Sequence, residues 1–182
     1  MKRQGIVRIA GAAALSAALG TALVTAQGNG NRYSAQLWGG EEVPSVSTEA
    51  QGSITLQIDE DAESIHYELS YSGLSSTVAQ SHIHFAQPAV NGAIMIWLCQ
   101  GTATPNSALG INPPQCPQSG TVSGTIEASD VIATAAAQQI GAGEFAEAVE
   151  AIRAGLAYVN VHTATSPGGE IRGQLKAGDG HR

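Results

Sequence analysis

The chain reads as a mainly β protein, an antiparallel Greek-key sandwich or barrel with a short helical insertion near residues 129–154. Three observations predict this. Apolar and polar residues alternate in seven or eight short runs, and a period of two places successive side chains on opposite faces of a strand. Turn residues, chiefly Gly, Pro and Asn-Gly, fall between the runs. Only residues 129–154 shift to a helical period.

Residues 33–37 alternate and form the first strand. In residues 52–59, Ile54, Leu56 and Ile58 share one face. Asp59-Glu60-Asp61-Ala62 is a charged turn, not a calcium loop, because it lacks the EF-hand ligand pattern. In residues 64–71, Ile65, Tyr67, Leu69 and Tyr71 lie on one face and His66 and Glu68 on the other, so the pair is a hairpin. Residues 80–85 and 93–98 are two further strands around Pro88 and Asn91-Gly92, and residues 121–128 are another. Ser129-Asp130 caps a short helix over 131–140, which Gly141 and Gly143 break. A second helix spans 144–154, with Phe145, Val149 and Ile152 on one side and Gly155 as its stop. Residues 158–162 and 170–175 close the chain around the turn Ser166-Pro167-Gly168-Gly169.

The 182 residues suit one domain preceded by a targeting segment. Lys2, Arg3 and Arg8 precede an apolar run that ends in Val24-Thr25-Ala26, the pattern of a secretory signal peptide over residues 1–26. An uncleaved anchor fits less well, because the run is short and rich in small residues. A flexible lead (27–32), one domain (33–176) and a flexible tail (177–182, with His181) follow. No later run reaches the roughly 20 apolar residues of a span, so no membrane segment is expected after cleavage. Cleavage would leave five of the eight bases against fifteen acids. So acidic a chain, with no Lys/Arg cluster, argues against nucleic acid and anionic membranes as partners. Export to the periplasm or beyond is expected. There the two cysteines, Cys99 and Cys116, should form a disulfide around a Gly/Pro-rich loop. A thiolate metal pair is the alternative, but the spacing is wrong for a CxxC knuckle.

The chemistry-bearing residues are histidines. His82 and His84 share one strand face, and His162 ends a second strand in which Tyr158, Asn160 and His162 oppose Val159 and Val161. The apolar set should face the core, which turns all three imidazoles outward. If the two strands are neighbours, His82, His84 and His162 converge, and neutral imidazoles suit Cu, Zn, Ni or Fe(II). The bland alternative is a polar cluster satisfied by Asn160, Thr163, Glu170 and Arg172. Glu170 and Arg172 share a face and read by default as a surface ion pair. Beside a metal, Glu170 would accept an imidazole N–H and Arg172 would guide anions. Glu41-Glu42-Val43-Pro44 reads as a bend, with a carboxylate role as the lesser alternative. Phosphate-loop and Gly-x-Ser-x-Gly signatures are absent, and neither Cys reads as a nucleophile.

Several of these blocks together carry a family resemblance: Leu37-Trp38-Gly39-Gly40-Glu41-Glu42-Val43-Pro44, Gly52, His82-Ile83-His84 with Asn91-Gly92, Ala157-Tyr158-Val159-Asn160-Val161-His162-Thr163 and Pro167-Gly168-Gly169-Glu170-Ile171-Arg172-Gly173-Gln174-Leu175. The chain resembles the CHRD (chordin) domain family, found also in bacterial secreted proteins. The resemblance implies an all-β, immunoglobulin-like or Greek-key domain and little about activity. The His-x-His strand and the late Val-x-Val-His strand are more remotely similar to copper-binding strands of the Cu,Zn superoxide dismutase sandwich. No histidine lies between His84 and His162, so that enzyme's zinc loop has no counterpart and only a mononuclear site is open. The expectation is an exported binding or structural module rather than an enzyme, with an unidentified protein or metal ion as its partner. The alternative is a mononuclear metal protein, copper before zinc, open to redox chemistry.

Overall fold

The computed structural model describes residues 31–102 and 110–178. The signal peptide and most of the lead and tail expected from sequence lie outside them. Nine strands form one antiparallel sheet: β1 (Arg32–Trp38), β2 (Gln51–Asp59), β3 (Ser64–Ser72), β4 (Val78–Phe85), β5 (Ala93–Gln100), β6 (Gly120–Glu127), β7 (Ala157–Thr163), β8 (Ile171–Gln174) and the two-residue β9 (Lys176–Ala177). The order across the sheet is β5-β4-β7-β8-β1-β2-β3-β6, with β9 beside β1. Ala177, read as tail, therefore pairs with Tyr33 at the domain's edge, and Gly178 donates to the carbonyl of Arg32, which was read as lead.

The end strands curl toward each other and nearly close a barrel. The Tyr67 hydroxyl on β3 donates to the Leu98 carbonyl on β5 at 2.5 Å. The alternation read from sequence supplies the interior: Leu37, Ile54, Leu56, Ile65, Leu69, Ile83, Leu98, Val159 and Val161 are all buried in one cluster. Each such side chain contributes roughly 1.5–3 kcal/mol on leaving water.

The helical insertion differs from expectation in its first half. Residues 131–140 do not form an α-helix. Val131 bridges Ile96, and Ile132 donates to the Met95 carbonyl, so these residues are extended along β5. Only 3-10 turns, Ala128–Asp130 and Ala133–Gln138, flank that contact. The second half is a true helix, α1 (Phe145–Arg153), which buries Phe145, Ala148, Val149 and Ile152 in the core. Cys99 and Cys116 are joined as a disulfide. It fastens the end of β5 to a segment that Gln100 also holds, donating to the Pro114 carbonyl and accepting from Cys116.

Candidate metal centre

β4 and β7 are neighbours, in a register that sets His82 opposite Asn160, His84 opposite Tyr158 and Gln80 opposite His162. The three histidines therefore lie on one face, and a ligand atom from each falls within 4.8 Å of the others. His82 Nδ1 is 3.1 Å from His162 Nε2.

The expectation of an outward, wet face is corrected. The face does oppose the apolar core, but it is covered. His82 is fully buried, and His84, His162, Asn160, Tyr158 and Arg172 are each less than a tenth exposed. Two loops make the cover. Residues 39–48 turn back on themselves, Val46 donating to the Gly39 carbonyl, and bring Glu42 inward. Residues 90–92 come from the β4–β5 turn. Asn91 fastens the loops together, its Nδ2 donating to the Val43 carbonyl at 2.9 Å. On the β5 side the Trp97 ring closes over His82, with centroids 4.1 Å apart.

Arg172 is the pillar under this cover. Its guanidinium donates to Asn91 Oδ1 and to the Val90 carbonyl and lies 3.4 Å from the centroid of the Tyr158 ring. Tyr158 stacks in turn on His84 at 4.6 Å. The guanidinium is almost fully buried by these contacts rather than turned to solvent. Nor does Arg172 pair with Glu170. That carboxylate is engaged elsewhere, accepting from Thr48, Thr163, and the hydroxyl and backbone N–H of Ser75. Burial pushes the Glu170 carboxyl up, but these bonds outweigh it and hold the group below its ordinary value. It meets none of the imidazoles.

Instead the imidazole N–H groups go to backbone carbonyls. His84 Nδ1 donates to Gly92 at 2.9 Å and His162 Nδ1 to Pro167 at 3.0 Å. A carbonyl only accepts, so each Nδ1 carries the proton and, in a neutral ring, each Nε2 presents a lone pair. Both Nε2 atoms face Asn160 Oδ1, at 3.1 Å from His84 and 2.9 Å from His162. Two rings thus confront acceptors on both sides with one proton each. Double protonation would satisfy them, but burial opposes it. Desolvation holds His84 down to about 4, with help from His162 and Arg172 and against the Gly92 and Asn160 bonds. Burial, then the neighbouring His162 and His84, keeps His82 well below its ordinary value, and burial also lowers His162. His82 Nε2 is buried without a hydrogen-bond partner.

Glu42, which the sequence places in a bend with a carboxylate role only as the lesser alternative, also reaches this site. It stands next to Asn160, and Glu42 Oε1 and Asn160 Nδ2 crowd one point beside Gly169. Desolvation raises its pKa to about 7, although Arg172, the Asn160 side chain and the Val43 backbone favour the charged form. Oε1 itself is buried and closes no hydrogen bond. The available signal was an excess: Tyr158, Asn160, His162, His82, His84 and Arg172 are too many large polar groups for a bare sheet face.

Residues 33–175 match the CHRD domain. The chain belongs to the CHRD family. No curated protein and no solved structure matches it. Membership of the CHRD family supports a binding or structural module, and in this CHRD domain the buried three-histidine cluster is compatible with a metal ligand set.

Proposed function

We propose that this CHRD domain is an exported binding module whose ligand is a single transition-metal ion held by His82, His84 and His162. The observation that carries the reading is the convergence of three buried imidazoles, one ligand atom from each lying within 4.8 Å of the others. With the Nδ1 protons of His84 and His162 given to the Gly92 and Pro167 carbonyls, both Nε2 lone pairs turn inward toward the one atom Asn160 Oδ1, where a cation would be held. The donor set is three neutral imidazoles with no thiolate and no carboxylate among the ligands. Such a set suits copper and zinc. Enclosure favours an ion of low charge, since the cost of desolvation climbs with charge, so copper as Cu(I) comes first and Zn(II) second.

Enclosure also favours holding the ion over turnover, because a catalytic metal keeps an open position for substrate. Storage, transport or a structural role for the ion fits the buried rings better than redox catalysis. Export is supported by the disulfide.

The test is elemental analysis of the purified chain, followed by titration with Cu(I) under reducing anaerobic conditions and with Zn(II) in air. One equivalent bound per chain is the expected result. A protein that takes up neither ion overturns the proposal.

A further inference from the structure

Asn160 sits between two groups that make opposite demands on it. On one side are the inward lone pairs of His84 and His162, 3.1 and 2.9 Å from its Oδ1. On the other is the Glu42 carboxylate, crowding its Nδ2 beside Gly169. Two arrangements satisfy donors and acceptors throughout. In the first, Oδ1 faces the imidazoles with a cation among them, and Nδ2 faces an ionised Glu42. In the second, the amide is turned over. Its NH2 then donates to both Nε2 atoms, and its oxygen accepts from a protonated Glu42. An ionised Glu42 beside the turned amide would set acceptor against acceptor, so the two ends of Asn160 cannot change independently.

We propose that Glu42 and Asn160 form a proton-coupled latch on the three-histidine site: uptake of the cation turns the amide and expels the proton of Glu42 to solvent. The inference rests on the metal-binding reading above and adds a regulation to it. One positive charge leaves the enclosed space as the ion enters, which cancels the charge of Cu(I) and halves that of Zn(II), and so lessens the cost of placing an ion there. Asn160 and Glu42 are positioning residues in this scheme and not ligands. Four further charged or titratable groups face the pair: the Arg172 guanidinium from β8, Tyr158 from β7, which stays neutral because burial raises its pKa, and His84 from β4 and His162 from β7, which lie beyond the amide. The buried, unpartnered Oε1 is the feature that a carboxylate waiting for a donor or a proton should show. Burial already brings Glu42 to about 7, so the exchange falls near neutral pH.

The experiment is calorimetric titration with Zn(II), in buffers of different ionisation enthalpy, at pH 6 and pH 8. The parent should release about one proton per ion at pH 6 and almost none at pH 8. Its Zn(II) affinity should weaken about tenfold per pH unit below 7 and be flat above 8. Glu42→Gln should release no proton at either pH and lose that dependence. Binding by the parent without proton release at pH 6, or the same release from folded Glu42→Gln, overturns the latch and leaves the metal site standing. No binding at all overturns both. Should Glu42→Gln fail to fold, the pH dependence of the parent alone decides the matter.

Discussion

His82 Nδ1 and His162 Nε2 lie 3.1 Å apart across β4 and β7, although 80 residues separate them in the chain. With His162 Nδ1 committed to Pro167, the neutral rings meet as one donor and one lone pair, a contact that a bound ion would replace. A His82→Ala/His84→Ala double variant should lose Cu(I) and Zn(II) binding by more than about 100-fold, beyond what changes around a ligand set usually cause. His162→Ala should behave alike, and His66→Ala, whose ring sits on the exposed face bonded to Thr125, should bind as the parent does. Competition with a chromophoric chelator measures all three. Parental affinity in the double variant sinks the site.

The face of β4 and β7 was legible because period two leaves no choice. Ile83, Val159 and Val161 go to the core, so His82, His84 and His162 must share the other side. What covers that side was not legible. Alternation says which residues share a face, never what lies over it, and the cover is built from loops remote in sequence. Asn91 was visible only as a turn residue and Glu42 only as part of a bend, because their partners, Val43 and Asn160, are chosen by tertiary packing. The length of the 131–140 helix failed for a related reason. A tertiary bridge from Val131 to Ile96 overrode a local capping signal.

Acid should destabilise the metal-free protein. His84 titrates at about 4 when folded against an ordinary 6.5, so the unfolded chain binds the proton first. Its contribution is complete above pH 6.5 and is lost as pH falls to about 4, amounting to about 3 kcal/mol at 1.36 kcal/mol per pKa unit. His82 and His162 act in the same direction. Glu42 acts oppositely. Raised from 4.5 to about 7, it stabilises most below pH 4.5 and loses that contribution as pH rises through 7. Three histidines against one glutamate leave a net loss on acidification. Urea unfolding at pH 7.5, 6 and 4.5 checks it, and equal stability across that range contradicts it.

Arg172 should resist even conservative replacement. It is almost fully buried, and its fork reaches Asn91 and Val90 while its plane covers Tyr158. Lysine keeps the charge and loses the fork and the stacking. Arg172→Lys should cost roughly 3 kcal/mol, the scale of breaking a buried charged contact, and should speed metal release because the two loops lose their common anchor. Thermal melting and chelator-driven release kinetics read the two effects. A variant that matches the parent in both would show that the cover stands without its pillar.

The disulfide should stabilise without touching the site. Cys99 and Cys116 are separated by 17 residues, and closing a loop of that size stabilises by about 3 kcal/mol in the chain-entropy description. A Cys99→Ala/Cys116→Ala variant should lose about that much in urea unfolding while keeping its metal affinity, since neither sulfur belongs to the three-histidine cluster. If metal affinity falls together with stability, the end of β5 supports the site more directly than the contacts describe.

Gly169 offers the sharpest single-atom test of the Glu42 contact. Its φ is 122°, a region that side chains rarely adopt, and a Cβ there would lie 2.2 Å from Glu42 Oε1 and 2.7 Å from Asn160 Nδ2. Alanine must therefore strain the backbone, at about 1–3 kcal/mol, and push the carboxylate and the amide apart. The backbone strain alone would lower the melting temperature and leave the pH dependence of metal binding unchanged. Displacement of Glu42 does more, because the amide is freed from the carboxylate. Gly169→Ala should therefore melt earlier and also bind Zn(II) with a shallower pH profile than the parent. A lower melting temperature with an unaltered profile would mean that Glu42 moves with the loop and keeps its hold on Asn160.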